Sequence, residues 1–297
     1  MDHTSHHKTF LLGVGCQKGG TTWLHDYLQR SDETDLGFLK EYHVFDALDL
    51  PSSKAFRQRV QANARKALKT PGMPSEKRSK ILLRLQFLLD SGSYFDYFHY
   101  LLLRDPRVRL TADITPAYAG LSVERLAHIR DGFAMRGVPV KVIFLMRDPF
   151  ERVWSAVRMS FRKHREKDPD ARILQKSEEE RLLEIYTKSP QVLRTRYDRT
   201  MECIEQVFPP ENIHYEFYES LFTEAAVSRI CNFLEIETVP ADFGKFVNAS
   251  PKTANVSERA KDEVMQYYRS VYDAVAARFG TETVCNVWPN ARPLLMA

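Results

Sequence analysis

Apolar positions along the chain follow two rhythms. Short unbroken apolar runs alternate with longer stretches in which apolar residues recur every three or four positions. The runs "TFLLGVG" (9–15), "VRLTADI" (108–114), "KVIFLMR" (141–147) and "IHYEFYE" (213–219) predict buried strands. "LGFL" (36–39) predicts one further short strand. The longer stretches predict helices. "TTWLHDYLQR" (21–30) puts Trp23, Leu24, Tyr27 and Leu28 on one face. Others are expected at 54–69 and 76–90, parted by the turn-rich "TPGMPS", and at 93–104 and 122–136. A helix should also start directly after residue 147, with more at 223–235 and 257–279.

Strands that alternate with helices predict an α/β fold with a mostly parallel central sheet flanked by helices. The chain has 297 residues, 43% of them hydrophobic, which is enough for a substantial core. No internal repeat and no low-complexity linker divides it. The expectation is a single domain over 1–297, with the helices of 54–104 inserted as a cap. In a parallel sheet the carboxyl ends of the strands share one edge, and ligands bind there. Four segments should meet on that edge: 15–22, 40–45, 113–118 and 147–155.

The first is "GVGCQKGGTTWL" (13–24), a glycine-rich turn from strand to helix. Backbone N–H groups at a helix N-terminus attract anions. Gly19 and Gly20 permit close approach of a ligand to the backbone, and Thr21 and Thr22 add hydroxyls. Gly15 and Gly20 have the spacing of a nucleoside-triphosphate loop, but Thr21 stands where that pattern needs lysine. The lysine is Lys18, ahead of the glycine pair. The second segment is "RDPFERVWS" (147–155). Asp148 fits a helix N-cap, Pro149 the first helical position, and Glu151 completes a capping-box-like pattern. Arg147 at the strand end and Ser155, off the apolar stripe, can grip a second phosphate; Arg147 can equally pair with a carboxylate.

The third segment, "FLKEYHVFD" (38–46), carries Lys40, Glu41 and His43. A carboxylate or imidazole there can take a proton from an acceptor hydroxyl, or the segment can be a solvated charged loop. The fourth, "ADITPAYA" (112–119), is a turn after a strand and adds the Tyr118 hydroxyl.

A net charge of +4 permits anionic ligands, and the balanced composition shows no nucleic-acid module. No apolar run approaches the ~20 residues that span a bilayer. The start, "MDHTSHHKTF", has no secretory apolar region, and its histidines read as a solvated tail. Cys16, Cys203, Cys231 and Cys285 lack metal-type spacing, so reduced thiols in the cytoplasm are expected.

Taken together, the four segments resemble the sulfotransferase superfamily that uses 3′-phosphoadenosine 5′-phosphosulfate (PAPS). "QKGGTTWL" is similar to its 5′-phosphosulfate loop, in which the lysine precedes the glycines. "RDPFERVWS" is similar to its 3′-phosphate signature, with Arg147 and Ser155 in the matching places. "KEYHVFD" and "DITPAY" resemble segments of the heparan-sulfate-type and bacterial branch, and "RTRYDRTMECIEQVFPPENIHYEFYESLF" a later helix–strand unit. The resemblance implies Glu41 as catalytic base and Lys18 as the group that stabilises the leaving phosphate. His43 would orient Glu41 or the acceptor, or act structurally. It implies a PAPS site made by Lys18, Gly19, Gly20, Thr21, Thr22, Trp23, Arg147 and Ser155, and no metal. Two features depart from the pattern. Ile114 replaces a lysine before Thr115-Pro116, and the C-terminal 3′-phosphate loop is represented at best by Lys252.

The implied acceptor is a hydroxylated saccharide, glycolipid or small metabolite. The basic stretch Arg158, Arg162, Lys163, His164 and Arg165 can line a cleft for an anionic saccharide or be a solvated helix face. Tyr94, Phe95, Tyr97, Phe98 and Tyr100 can shape an acceptor pocket or belong to the core. A P-loop kinase and a non-catalytic binder of anionic ligands are the alternative readings.

Overall fold

The computed structural model describes residues 8–244 and 255–296. Strands β1 (Thr9–Gly15), β2 (Leu110–Ile114), β3 (Val140–Met146) and β4 (Ile213–Phe217) form one sheet. Its order is β2-β1-β3-β4, and every pairing is parallel. The expected strand at 36–39 does not form. Gly37 adopts φ 74° and donates its N–H to Asp35 Oδ1 at 3.1 Å, so the chain turns there. A Cβ on Gly37 would lie 2.1 Å from Tyr42 Oη. Thr34 alone bridges to Leu110.

Helices cover both faces of the sheet. α1 (Thr21–Leu28) follows β1, and the short α2 (Phe45–Asp49) leads into α3 (Lys54–Lys69), α4 (Ser75–Leu89) and α5 (Ser91–Leu103). α6 (Val123–Ala134) joins β2 to β3, and α7 (Pro149–Lys167) starts directly after β3. Then come α8 (Glu178–Ile185), α9 (Ser189–Leu193), α10 (Tyr197–Glu205) and, after β4, α11 (Glu224–Leu234). The expected helix at 257–279 is broken at Tyr268 into α12 (Glu258–Tyr267) and α13 (Arg269–Phe279).

Strand alternation divides the core in two. Phe10, Leu12 and Val14 of β1 and Val142, Phe144 and Met146 of β3 join the larger cluster with α5, α6, α10 and α13. Leu11, Ile143 and Leu145 face α1 and α11. The aromatic helix at 91–103 belongs to the larger layer. Phe98 meets the Phe10 ring at 5.0 Å, and Tyr94, Phe95 and Phe98 are buried there. Tyr100 is exposed. Among the described residues no helix is long and apolar enough to cross a membrane.

This order has one topological switch point. From β1 the chain passes to β2 on one side and then to β3 on the other. The crevice outside the carboxyl ends of β1 and β3 is where such sheets take ligands.

Candidate active site

A cavity of about 370 Å³ opens at that switch point, and all four sequence segments contribute to its wall. Lys18, Gly20, Thr21, Thr22 and Trp23 come from the turn after β1, and Arg147 and Ser155 from the end of β3 and from α7. Lys40, Glu41 and His43 come from the loop before α2, and Pro116 and Ala117 from the turn after β2. Gly19 is not in the wall; it supports the turn from behind, its N–H donating to the Cys16 carbonyl at 3.0 Å. Lys252 lies outside the described residues.

The turn after β1 is built by backbone geometry. Lys18 takes the left-handed region (φ 70°), as does Gly20 (φ 92°), which precedes α1. A Cβ on Gly20 would approach Leu221 Cδ2 to 2.4 Å, so only glycine fits. No side chain among the described residues caps α1, which leaves its first N–H groups for an anion. Lys18 is half-buried. Burial, with the charges of Arg147, Arg162, Arg158 and Lys163, pushes its ammonium down to about 8. That crowding of cations costs free energy unless an anion joins them.

Arg147 secures the turn from β3. Its Nη1 donates to the Lys18 carbonyl at 3.0 Å, and its guanidinium lies 4.3 Å from the centre of the Tyr218 ring. Nη2 faces Glu151 at 3.5 Å, so the carboxylate pairing does occur, and Nε is buried without a partner. Asp148 caps α7 through the Glu151 N–H at 3.1 Å. Its own N–H goes to Glu219 at 3.1 Å. Ser155 is buried at the cavity wall, whereas Arg152 turns away to Gln191 Oε1 at 2.8 Å. One turn on, Arg158 lies 4.3 Å over Trp154, and its buried Nε and Nη1 have no partner. Arg158, Arg162 and Lys163 of the basic stretch reach the cavity. His164 and Arg165 do not: His164 Nδ1 donates to Ser160 O at 2.7 Å, and Arg165 lies over Phe161.

Glu41 faces this cationic wall. Its Oε1 accepts from Lys40 Nζ at 3.0 Å and its Oε2 from His43 Nε2 at 3.1 Å. His43 Nδ1 donates to Asp46 Oδ2 at 2.9 Å, and Ser53 Oγ donates to the same oxygen at 2.7 Å. Burial pushes the Glu41 carboxyl up, but His43 and Lys40 outweigh it and hold the group at about 2. Burial pushes the His43 imidazole down, yet Asp46 and Glu41 raise it to about 9. Glu41 and His43 therefore pair as carboxylate and imidazolium at neutral pH, with Asp46 Oδ2 accepting from the far side of the ring. The array is docked on β2: Tyr42 N–H donates to Thr115 Oγ1 at 3.1 Å and Val44 N–H to Tyr118 Oη at 3.2 Å. Both hydroxyls donate in turn to the buried Asp113, at 2.6 and 2.8 Å. Tyr118 is thus a support and not a wall residue.

Trp23 serves core and cavity together. It stacks on Tyr27 at 5.5 Å and donates Nε1–H to the Asp242 carbonyl at 3.3 Å. Sequence reasoning missed Arg194, Tyr218 and Phe222, which also line the wall; all three lie in the later helix–strand unit (194–222), where no single residue stood out as a ligand. Among the described residues no group of three or more His, Cys, Asp or Glu side chains could hold a metal. Ile114 is buried at the end of β2, so the charge missing from that segment is replaced by core.

Comparison with known proteins places the fold and the family. A sulfotransferase from Alicyclobacillus acidocaldarius has the same fold, with a TM-score of 0.55 at 16% identity over 91% of this chain and 95% of that one. The sulfotransferase domain of the Synechococcus PCC 7002 olefin synthase is also similar, with a TM-score of 0.42 at 16% identity over 90% of this chain and 97% of that one. No curated protein matches the chain. The family model described as "Sulfotransferase family" matches residues 11–240, from β1 to beyond α11, and the chain therefore belongs to the sulfotransferase family.

Proposed function

We propose that the protein moves a sulfuryl group from PAPS to an acceptor hydroxyl, with Glu41 as general base and Lys18 at the leaving phosphate. One observation carries the reading: a carboxylate is held across a single cavity from a half-buried lysine that four further cations surround. The site fits a doubly anionic nucleotide. Arg147 and Arg158 bring buried N–H groups without partners, α1 brings an uncapped N-terminus, and Ser155 adds a hydroxyl. PAPS would supply the sulfuryl group and a phosphate as leaving group.

The chain's own residues would do the rest. Glu41 takes the acceptor proton as the acceptor oxygen forms its bond to sulfur. The bond from sulfur to the bridging oxygen breaks, and its electron pair stays on the 5′-phosphate. Lys18 and the α1 N–H groups stabilise that charge, an effect worth roughly 10²–10³ in rate per donor. His43 keeps Glu41 aimed at the cavity. Arg147, Ser155 and Arg158 hold the 3′-phosphate and so tell PAPS from ATP. The acceptor is a hydroxylated saccharide, glycolipid or small metabolite, and four buried, unpaired cysteines suit the cytoplasm. A P-loop kinase is less well supported, because Thr21 fills its lysine position and Glu41 is already engaged by Lys40 and His43.

The test is calorimetric titration with 3′-phosphoadenosine 5′-phosphate (PAP) against ADP, both without magnesium, followed by turnover of Glu41→Gln. Tight binding of PAP, weak binding of ADP and a turnover loss of about 10²-fold or more are expected. Equal binding of ADP overturns the 3′-phosphate assignment, and normal turnover by Glu41→Gln overturns the base.

A further inference from the structure

The cations of the cavity fall into two groups. Arg147, Arg158, Arg162 and Lys163 are the charges that bear on Lys18. Arg194 is not among them. It follows α9, reaches the same cavity, and has Arg152, Asp46 and Glu41 as its charged neighbours. It therefore stands at the end of the cavity where Glu41 lies.

Neither carboxylate there pairs with it. Glu41 is occupied by Lys40 and His43; Asp46 Oδ2 accepts from His43 and Ser53, and Asp46 Oδ1 is buried without a partner. The Arg194 guanidinium makes no hydrogen bond or ion pair among the described residues. It is half-buried, and that burial depresses its pKa. A partly desolvated guanidinium presents a planar fork that matches carboxylate, phosphate or sulfate oxygens. Its nitrogens are not among the buried atoms that lack a partner, so they reach the cavity and stay open to such a group.

We propose that Arg194 receives an anionic group of the acceptor, beside the hydroxyl that Glu41 deprotonates. The acceptor is thus a hydroxylated acid and not a neutral alcohol, and Arg194 is a specificity-determining residue. This rests on the reading of Glu41 as base and of the Lys18 end as the donor's.

The experiment compares matched probes on protein saturated with PAP for binding and supplied with PAPS for transfer. Glucuronate, glucose 6-phosphate and glucose 6-sulfate are each set against glucose, and 4-hydroxybenzoate against its methyl ester. Ligand-observed NMR reads binding, and transfer of radiolabelled sulfate reads kcat/KM. At least one charged member should exceed its neutral partner by about tenfold to a hundredfold, the worth of a charge-assisted hydrogen-bonded pair. The identity of that member separates carboxylate from phosphate and sulfate. Arg194→Gln should collapse the ratio to near one while PAP affinity is kept. No preference for any charged member, or a preference that survives in Arg194→Gln, overturns the proposal. Failure of the wild-type protein to bind PAP instead overturns the donor reading, and this inference with it.

Discussion

Lys40 sits between Thr22 and Glu41, donating to the hydroxyl of one and to the carboxylate of the other at 3.0 Å. One ammonium thus ties the first turn of α1 to the candidate base. Replacing it with methionine removes a charge that lowers the Glu41 pKa. The carboxyl then rises, and the acidic limb of the pH–rate profile moves to higher pH. The rate at neutral pH should fall by less than about tenfold, because a stronger base partly offsets the lost positioning. An unmoved limb in Lys40→Met would mean that the pair is not made in solution.

Lys18 titrates near 8 in the free protein. Its charged form is the useful one, so kcat/KM for the donor should decline as pH rises through about 8. Bound anions favour the ammonium, so the limb in kcat should lie at higher pH. Lys18→Arg should abolish the limb, since arginine stays charged, and Lys18→Ala should lose about 10²–10³ in rate with its melting temperature kept. Superimposable pH profiles for wild type and Lys18→Arg would remove Lys18 from the chemistry.

The Glu41–His43–Asp46 array also links stability to pH. The raised His43 pKa adds stability that is full below its ordinary 6.5 and lost as pH rises through about 9. The depressed Glu41 pKa adds stability that is present above its ordinary 4.5 and lost as pH falls toward about 2. The melting temperature of His43→Gln should fall furthest below wild type between those ordinary values, and the gap should close above pH 9. A gap that does not vary with pH would show that the array is not ionised.

Arg84 reaches from α4 to the carbonyls of Glu41 and Tyr42, at 3.2 and 3.3 Å. Its guanidinium lies 4.6 Å from the Phe56 ring, which in turn packs 4.6 Å from His43. Arg84→Met should lower kcat by roughly tenfold to a hundredfold through misplacement of Glu41, with PAP affinity kept. Faster hydrogen exchange at 40–44 should accompany it. Unchanged kcat together with faster exchange would separate the clamp from catalysis.

Asp113 collects the hydroxyls of Tyr94, Tyr118 and Thr115 inside the core. Asp113→Ala strands all three and should cost about 3–5 kcal/mol, read by urea unfolding. A loss below about 1 kcal/mol would mean that the hydroxyls find other partners.

The sequence carried the strands, the turn after β1 and the cap of α7 because each is a local pattern of glycine, proline and apolar residues. It was also enough to bring the four segments to one edge, since parallel strands place their carboxyl ends together. It misjudged 36–39, where an apolar run conceals a left-handed Gly37 pressed against Tyr42. It ran α12 and α13 together, because the periodicity continues through Tyr268 while the backbone does not. Arg194 was invisible for another reason. It opens the stretch 194–222, whose periodic residues mark a helix and not a ligand, and its meaning comes only from sharing a cavity with Glu41, far away in the chain.

The sheet order β2-β1-β3-β4 also dictates when the cavity can exist. Thr9 pairs with Leu110 and Phe10 with Val140, so the first of the four strands to be synthesised is one of the two inner ones and waits for both partners. Such distant pairing makes assembly slow. Until β3 has been synthesised, β1 has neither both its neighbours nor Arg147 to hold its turn. A nascent chain that stalls before Met146 thus carries the whole glycine-rich turn and cannot yet shape it.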